Sequence, residues 1–175
     1  MKDKAIRSTI MPSCICKRYS TVELDRGDKY PSITSGLKDL RVLKSTQSSF
    51  VNFIDNDYTS LVDAEDRIFS TIVDCSWEYN NNNNTQVDYC RVWKAIKLSI
   101  LKNFAGDLDV GVPSPSVQYT IYLTEKDVLS NMKEVKSIKM TLPNKHYIKF
   151  DFSRFKNLVR DDEETVFVPM DKPSG

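Results

Sequence analysis

The sequence predicts an α+β fold: one antiparallel β-sheet with two helices packed on one of its faces. Three patterns carry that expectation. Apolar and polar residues alternate with period two from Asp66 to Tyr79, from Val135 to Leu142 and from Lys145 to Phe152. Between the first of these runs and the other two lie stretches with apolar residues at three- and four-residue steps, beginning near Asp88 and Ser114. Strands, then two helices, then strands, is the order of a sheet covered on one face by both helices.

Taken in chain order, residues 1–15 read as a poorly ordered leader, and residues 16–175 as a single unit. A first strand is expected from Cys16 to Asp25, with Tyr19, Val22 and Leu24 able to pack. Asp25-Arg26-Gly27-Asp28 is turn chemistry and predicts a hairpin. The second strand, Ser35 to Ser45, carries Leu37, Leu40, Val42 and Leu43, and its interleaved Lys38, Asp39, Arg41 and Lys44 are assigned to a solvated face. Ser48 to Tyr58 reads as a helical turn and loop. From Asp66 to Tyr79, the residues Arg67, Phe69, Thr71, Val73, Cys75, Trp77 and Tyr79 share one side of a long strand.

Asn80 to Asn84 is a run of asparagines that cannot build a core, so it reads as a low-complexity loop. The first helix, about Asp88 to Ala105, presents Trp93, Ile96, Ile100 and Phe104 as its stripe, with Gly106 placed to stop it. Ser114 as N-cap and Pro115 as first helical residue open the second helix. Its stripe is Val117, Ile121, Val128 and Met132. The strand Val135 to Leu142 runs into Pro143, which has no N–H for a ladder, and a turn is expected before Lys145 to Phe152. Asp161 to Glu164 reads as an acidic loop, Val166 to Pro169 as a last strand, and Asp171 to Gly175 as turn chemistry.

Composition narrows the partners. With 25 basic and 24 acidic side chains the net charge is +1, which gives no support to a nucleic-acid or anionic-membrane partner. No apolar run is long enough to span a bilayer. Cys14, Cys16, Cys75 and Cys90 show no framework spacing and read as reduced thiols. Cys14-Ile15-Cys16 has no second paired motif to complete a zinc site, so no metal is expected.

One segment brings unlike polar chemistry together. In Thr141-Leu142-Pro143-Asn144-Lys145-His146-Tyr147 an amide, a cation and the only histidine follow a strand end. On spacing alone, a strand–turn–strand whose turn happens to carry Asn and His is the favoured reading, because a lone histidine is a weak site signal. Leu142-Pro143-Asn144-Lys145-His146-Tyr147 nevertheless resembles the L-P-N-x-H-Y signature of the urate oxidase (uricase) family. Further blocks agree with that family in order and spacing. They are Ser35-Gly36-Leu37-Lys38-Asp39-Leu40 with Val42-Leu43-Lys44-Ser45-Thr46 and Phe50; Asp66-Arg67 with Ser70-Thr71; Phe104-Ala105-Gly106; and Ser114-Pro115-Ser116-Val117-Gln118. The resemblance runs from about Ser35 to Gly175.

The resemblance implies a tunnelling fold (T-fold), here one unit similar to the family's C-terminal one, without the N-terminal half or the final strand and tail. It implies oxidation of urate by dioxygen to 5-hydroxyisourate and hydrogen peroxide, with no cofactor. Arg67 and Gln118 resemble the clamp on the urate edge, the Val117 N–H a further contact, and Phe50 the ring that stacks on the purine. Asn144 and His146 resemble the pair above the purine, where dioxygen or water resides, with His146 accepting or relaying a proton. Taken singly, Arg67 also reads as an ion pair with Asp66 or Glu65, Gln118 as a solvated helix residue and Phe50 as core.

The family's lysine–threonine relay has no matching position, because Lys4 and Thr9 lack the motif context. Activity of this chain is therefore expected to need a complementing N-terminal half. The alternative is a non-catalytic remnant that oligomerises or binds a purine. A pterin or guanine-nucleotide T-fold is a weaker idea, since the sequence has one histidine and no metal cluster. The implied partners are urate, dioxygen and further copies of the chain, a tetramer in the family. Exposed sheet edges also predict self-association. The family is typically peroxisomal, yet Pro173-Ser174-Gly175 is not a Ser-Lys-Leu type address, which leaves the cytoplasm open.

Overall fold

The computed structural model describes residues 16–52, 54, 56–59, 63–80, 87–107, 109–150, 152 and 166–170. In chain order the elements are β1 (Lys17–Glu23), β2 (Ser32–Lys44), β3 (Phe69–Tyr79), α1 (Tyr89–Ala105), α2 (Val117–Asn131), β4 (Val135–Thr141), β5 (Asn144–Lys149) and β6 (Phe167–Met170). They form an antiparallel sheet in the order β1-β2-β3-β5-β6, with β4 also on β3. The expectations for residues 1–15, the asparagines beyond Asn80, the acidic loop and the closing turn fall outside the described residues.

β3 organises the rest. Its alternation places Phe69, Thr71, Val73, Cys75, Trp77 and Tyr79 on one buried face, where Val92, Ile96, Ile100 and Phe104 of α1 and Val128 of α2 meet them. The α1 stripe includes Val92 in full burial, whereas Trp93 is only half-buried. Asp88 caps α1 by accepting from the Cys90 and Arg91 N–H groups. Gly106 ends it at φ 72, and a Cβ there would come within 2.5 Å of the Gly111 backbone. On α2 the buried positions are Thr120, Thr124 and Val128, four apart, while Ile121 is half-buried.

The expected hairpin joins β1 and β2, and Asp28 N–H donates to the Asp25 carbonyl in its turn. The solvated-face assignment in β2 fails at one residue, however. A bulge lies between Leu37 and Leu40, with Asp39 at φ 61. An extra residue shifts the side-chain phase, so Leu37, Leu40, Val42 and Lys44 all turn inward, and Lys44 is 2% exposed.

Three more expectations are corrected. Ser48 to Phe50 is not helical but extended, bridged to Ser114 and Ala64; the only turn there among the described residues is Asn56–Thr59. Ser114 does not cap α2. It is buried against Ser48, and Ser116 is the cap, accepting from the Tyr119 N–H at 3.1 Å. Finally, Pro143 makes no turn. Asp74 pairs with Thr141 and Thr71 with Asn144, so three residues on one strand match three on the other and the register runs unbroken. β4 and β5 are successive stretches along one edge of β3. Proline merely interrupts the ladder, and Thr71 Oγ1 donates to the Pro143 carbonyl at 2.7 Å.

Candidate functional site

The unbroken register decides where the amide and imidazole sit. Directly opposed residues of an antiparallel pair share a face. Asn144 lies opposite Thr71, which is buried under the helices, and His146 lies two residues further along the same face. Met140 and Leu142, on that face too, are 9% and 7% exposed, but Asn144 and His146 are half-buried. An apolar, buried stripe thus becomes a polar, half-buried one beyond Pro143.

Arg67 approaches from the segment before β3. Its N–H donates to the Ser48 carbonyl at 2.8 Å, while Phe50 and Ala64 exchange backbone hydrogen bonds of 2.7 and 3.0 Å. The guanidinium carbon consequently lies 5.0 Å from the centre of the Phe50 ring. Arg67 is half-buried, and its Nε is buried without an acceptor among the described residues. Neither Asp66 nor Glu65 pairs with it there. Burial also lowers the guanidinium pKa from its ordinary value. A buried charged donor left unsatisfied is costly, and an anionic ligand presenting acceptors would remove that cost.

His146 shares this neighbourhood. Its pKa is lowered from 6.5, chiefly by burial and secondarily by the Arg67 charge. The neutral imidazole, able to accept a proton, is therefore the form present at pH 7. The sign for stability follows. Between its folded value and 6.5 the unfolded chain binds more protons, so this group's contribution is present above 6.5, is lost as pH falls through that window, and is constant below it. His146 is the only histidine, and the Hε1 resonance should titrate with a midpoint below 6.5. In Arg67→Met the midpoint should move up only part of the way, because burial remains. An unchanged midpoint would mean that the two groups are not coupled.

The start of α2 is drawn to the same end of the sheet by backbone ties. Ser114 N–H donates to the Gln47 carbonyl at 2.8 Å, and its carbonyl accepts from the Ser49 N–H at 3.0 Å. Ser114 Oγ and Thr120 Oγ1, 2.6 Å apart, secure the first turn from inside. Val117 is half-buried and Gln118 exposed. Their N–H groups stand in a helix first turn, where donors and dipole favour an anion. The structure thus puts Phe50 and Arg67 in direct contact, couples His146 to Arg67, and sets Asn144 on the His146 face. It ties Val117 and Gln118 to the Phe50 segment without a side-chain contact to Arg67 among the described residues. Lys44, Ser48 and Thr71, which support these groups, carried no signal in the sequence beyond their place in alternating or motif stretches.

The architecture defines a class first: a curled antiparallel half-barrel with two helices on one face, the T-fold unit of uricases. It matches the crystal structure of uricase from Arthrobacter globiformis with a TM-score of 0.75 and 33% identity, over 91% of this chain and 51% of that one. Uricase from Drosophila pseudoobscura pseudoobscura is 52% identical over 157 residues, 90% of this chain and 45% of that protein. Uricase from Danio rerio is 44% identical over 147 residues, 84% of this chain and 47% of that protein. The Uricase family profile matches residues 33–175, and the chain belongs to the uricase family. It spans about half the length of the curated relatives it matches.

Proposed function

We propose that this chain supplies the clamp, stacking and histidine side of a site that oxidises urate. The observation that carries the reading is the half-buried Arg67 guanidinium, in contact with Phe50, coupled to His146 and carrying an Nε without a partner among the described residues. Urate is a flat anion with adjacent O and N–H groups on one edge. A guanidinium and a carboxamide suit that edge, so Arg67 and Gln118 hold it, with the Val117 N–H as a further donor. Phe50 stacks on the ring. Asn144 and His146 face dioxygen or water above it.

Urate, dioxygen and water give 5-hydroxyisourate and hydrogen peroxide. The purine loses two electrons and a proton, dioxygen takes the electrons as peroxide, and water delivers the hydroxyl. His146, neutral at pH 7, is suited to receive a proton during this exchange. Whereas these residues resemble the family's C-terminal T-fold unit, the lysine–threonine relay belongs in the family to an N-terminal one. We assign full turnover to an assembly that includes such a unit, a homo-oligomer of T-fold units in purine breakdown, peroxisomal as in the family.

The full chain should first be titrated with urate by calorimetry without oxygen, then supplied with dioxygen while urate absorbance and peroxide are followed. Binding, with turnover on adding the N-terminal half of a related uricase, is the expected result. Binding without turnover under either condition would leave a purine-binding module. Absence of binding removes the reading.

A further inference from the structure

Lys44 ends β2 and is 2% exposed. Its Nζ donates to the Val112 carbonyl at 3.0 Å and lies 5.6 Å from the Phe104 ring centre and 6.0 Å from that of Phe69. Packing alone does not require this charge, since a methionine would fill similar space without the cost of burying an ammonium. Burial in fact lowers the Lys44 pKa to about 8, against the opposing pull of Asp66.

What the ammonium does is visible in its surroundings. The chain leaving Lys44 passes through Gln47 and Ser48 to Phe50. Val112 stands shortly before Ser114, which is bonded to Gln47 and Ser49 and leads to Val117 and Gln118. Asp66, next to Arg67, accepts the Ser48 N–H at 3.4 Å and acts on the Lys44 charge through space. Arg67 N–H in turn donates to the Ser48 carbonyl, so three segments distant in sequence, each bearing part of the proposed clamp, are tied together beside the buried end of β2.

We infer that Lys44 is a positioning residue which, through its bond from the end of β2 to Val112, holds the Phe50, Arg67 and Val117–Gln118 segments in register. The inference rests on the urate-clamp reading for its purpose. Its geometry can be tested separately.

Lys44→Met keeps an apolar stem and removes the donor and charge; Lys44→Gln keeps a donor on a shorter neutral side chain. Both full-length variants should be compared with the unaltered chain by amide hydrogen exchange and by anaerobic urate titration. In Lys44→Met, exchange at Ser49, Arg67 and Ser114 should accelerate about tenfold or more. Val73 and Trp77, in mid-β3, should be unaffected. The urate Kd should rise roughly tenfold, the loss of one hydrogen bond to a charged donor. Lys44→Gln should fall between the two.

Unchanged exchange at the three amides overturns the inference whatever urate does. Equal acceleration at Val73 and Trp77 overturns it too, since Lys44 would then only support the core. Faster local exchange with an unchanged urate Kd also overturns it, because the clamp would not depend on the anchor. If the unaltered chain binds no urate, the proposed function fails by itself, and exchange at the three amides still decides whether Lys44 holds the segments together.

Discussion

Arg67→Met is expected to raise the Kd for urate on the order of a hundredfold. That factor corresponds to about 2.7 kcal/mol, within the roughly 1.5–3 kcal/mol carried by a hydrogen bond to a charged group. The effect should be large because the guanidinium is half-buried and spends no strong ion pair on a neighbour among the described residues. Its attraction for an anion is thus not already used within the protein. Stability should change far less, since methionine can follow the same path over Phe50 without a buried charge. Anaerobic calorimetry measures the first effect and thermal unfolding the second. A Kd within a factor of two or so of the unaltered chain would show that Arg67 does not hold the purine.

The largest effect on stability is expected at Phe104. Its ring is 1% exposed and packs 4.8 Å from the Phe69 ring, joining the last turn of α1 to the start of β3. Phe104→Ala should destabilise the chain by about 3–5 kcal/mol, the usual range for a buried phenylalanine that leaves a cavity. The site should suffer as well, because the Lys44 ammonium lies over the same ring. Urea unfolding with an unchanged slope and a much lower midpoint is the expected signature. A loss below about 1 kcal/mol would mean that the helix–sheet seam does not depend on this ring.

Much of the fold was legible because local rules and burial agree. In β3, period-two alternation matches the observed burial residue for residue from Phe69 to Tyr79. Ile96, Ile100 and Phe104 are buried on α1 as their spacing demands. The errors arose where a residue's partner is far away in sequence. Ser114-Pro115 has the chemistry of a helix start, yet Ser114 is occupied by Gln47, Ser49 and Thr120, and the cap falls to Ser116. Pro143 looks like a turn, but β3 holds the segments on either side in one register.

The candidate site divides the same way. Its residue types stood out only through the family's motif blocks; singly, Arg67, Gln118 and Phe50 each had an ordinary explanation. No local pattern could show that Arg67 would lie on Phe50, or that burial and then the Arg67 charge would lower the pKa of His146, because those groups come from three separate segments.

By itself, then, the amino-acid order determined which stretches are strands and helices and which faces are apolar, since periodicity and side-chain chemistry act over a few residues. Tertiary structure alone decided that Lys44 points inward, that β4 and β5 share one edge of β3, and that the segments of Ser48–Phe50, Arg67 and Ser114 are tied together. A bulge at Asp39, a ladder spanning Pro143 and a buried ammonium bonded to Val112 are all set by partners distant in the chain, and pairings between such partners exist only once the sheet has closed.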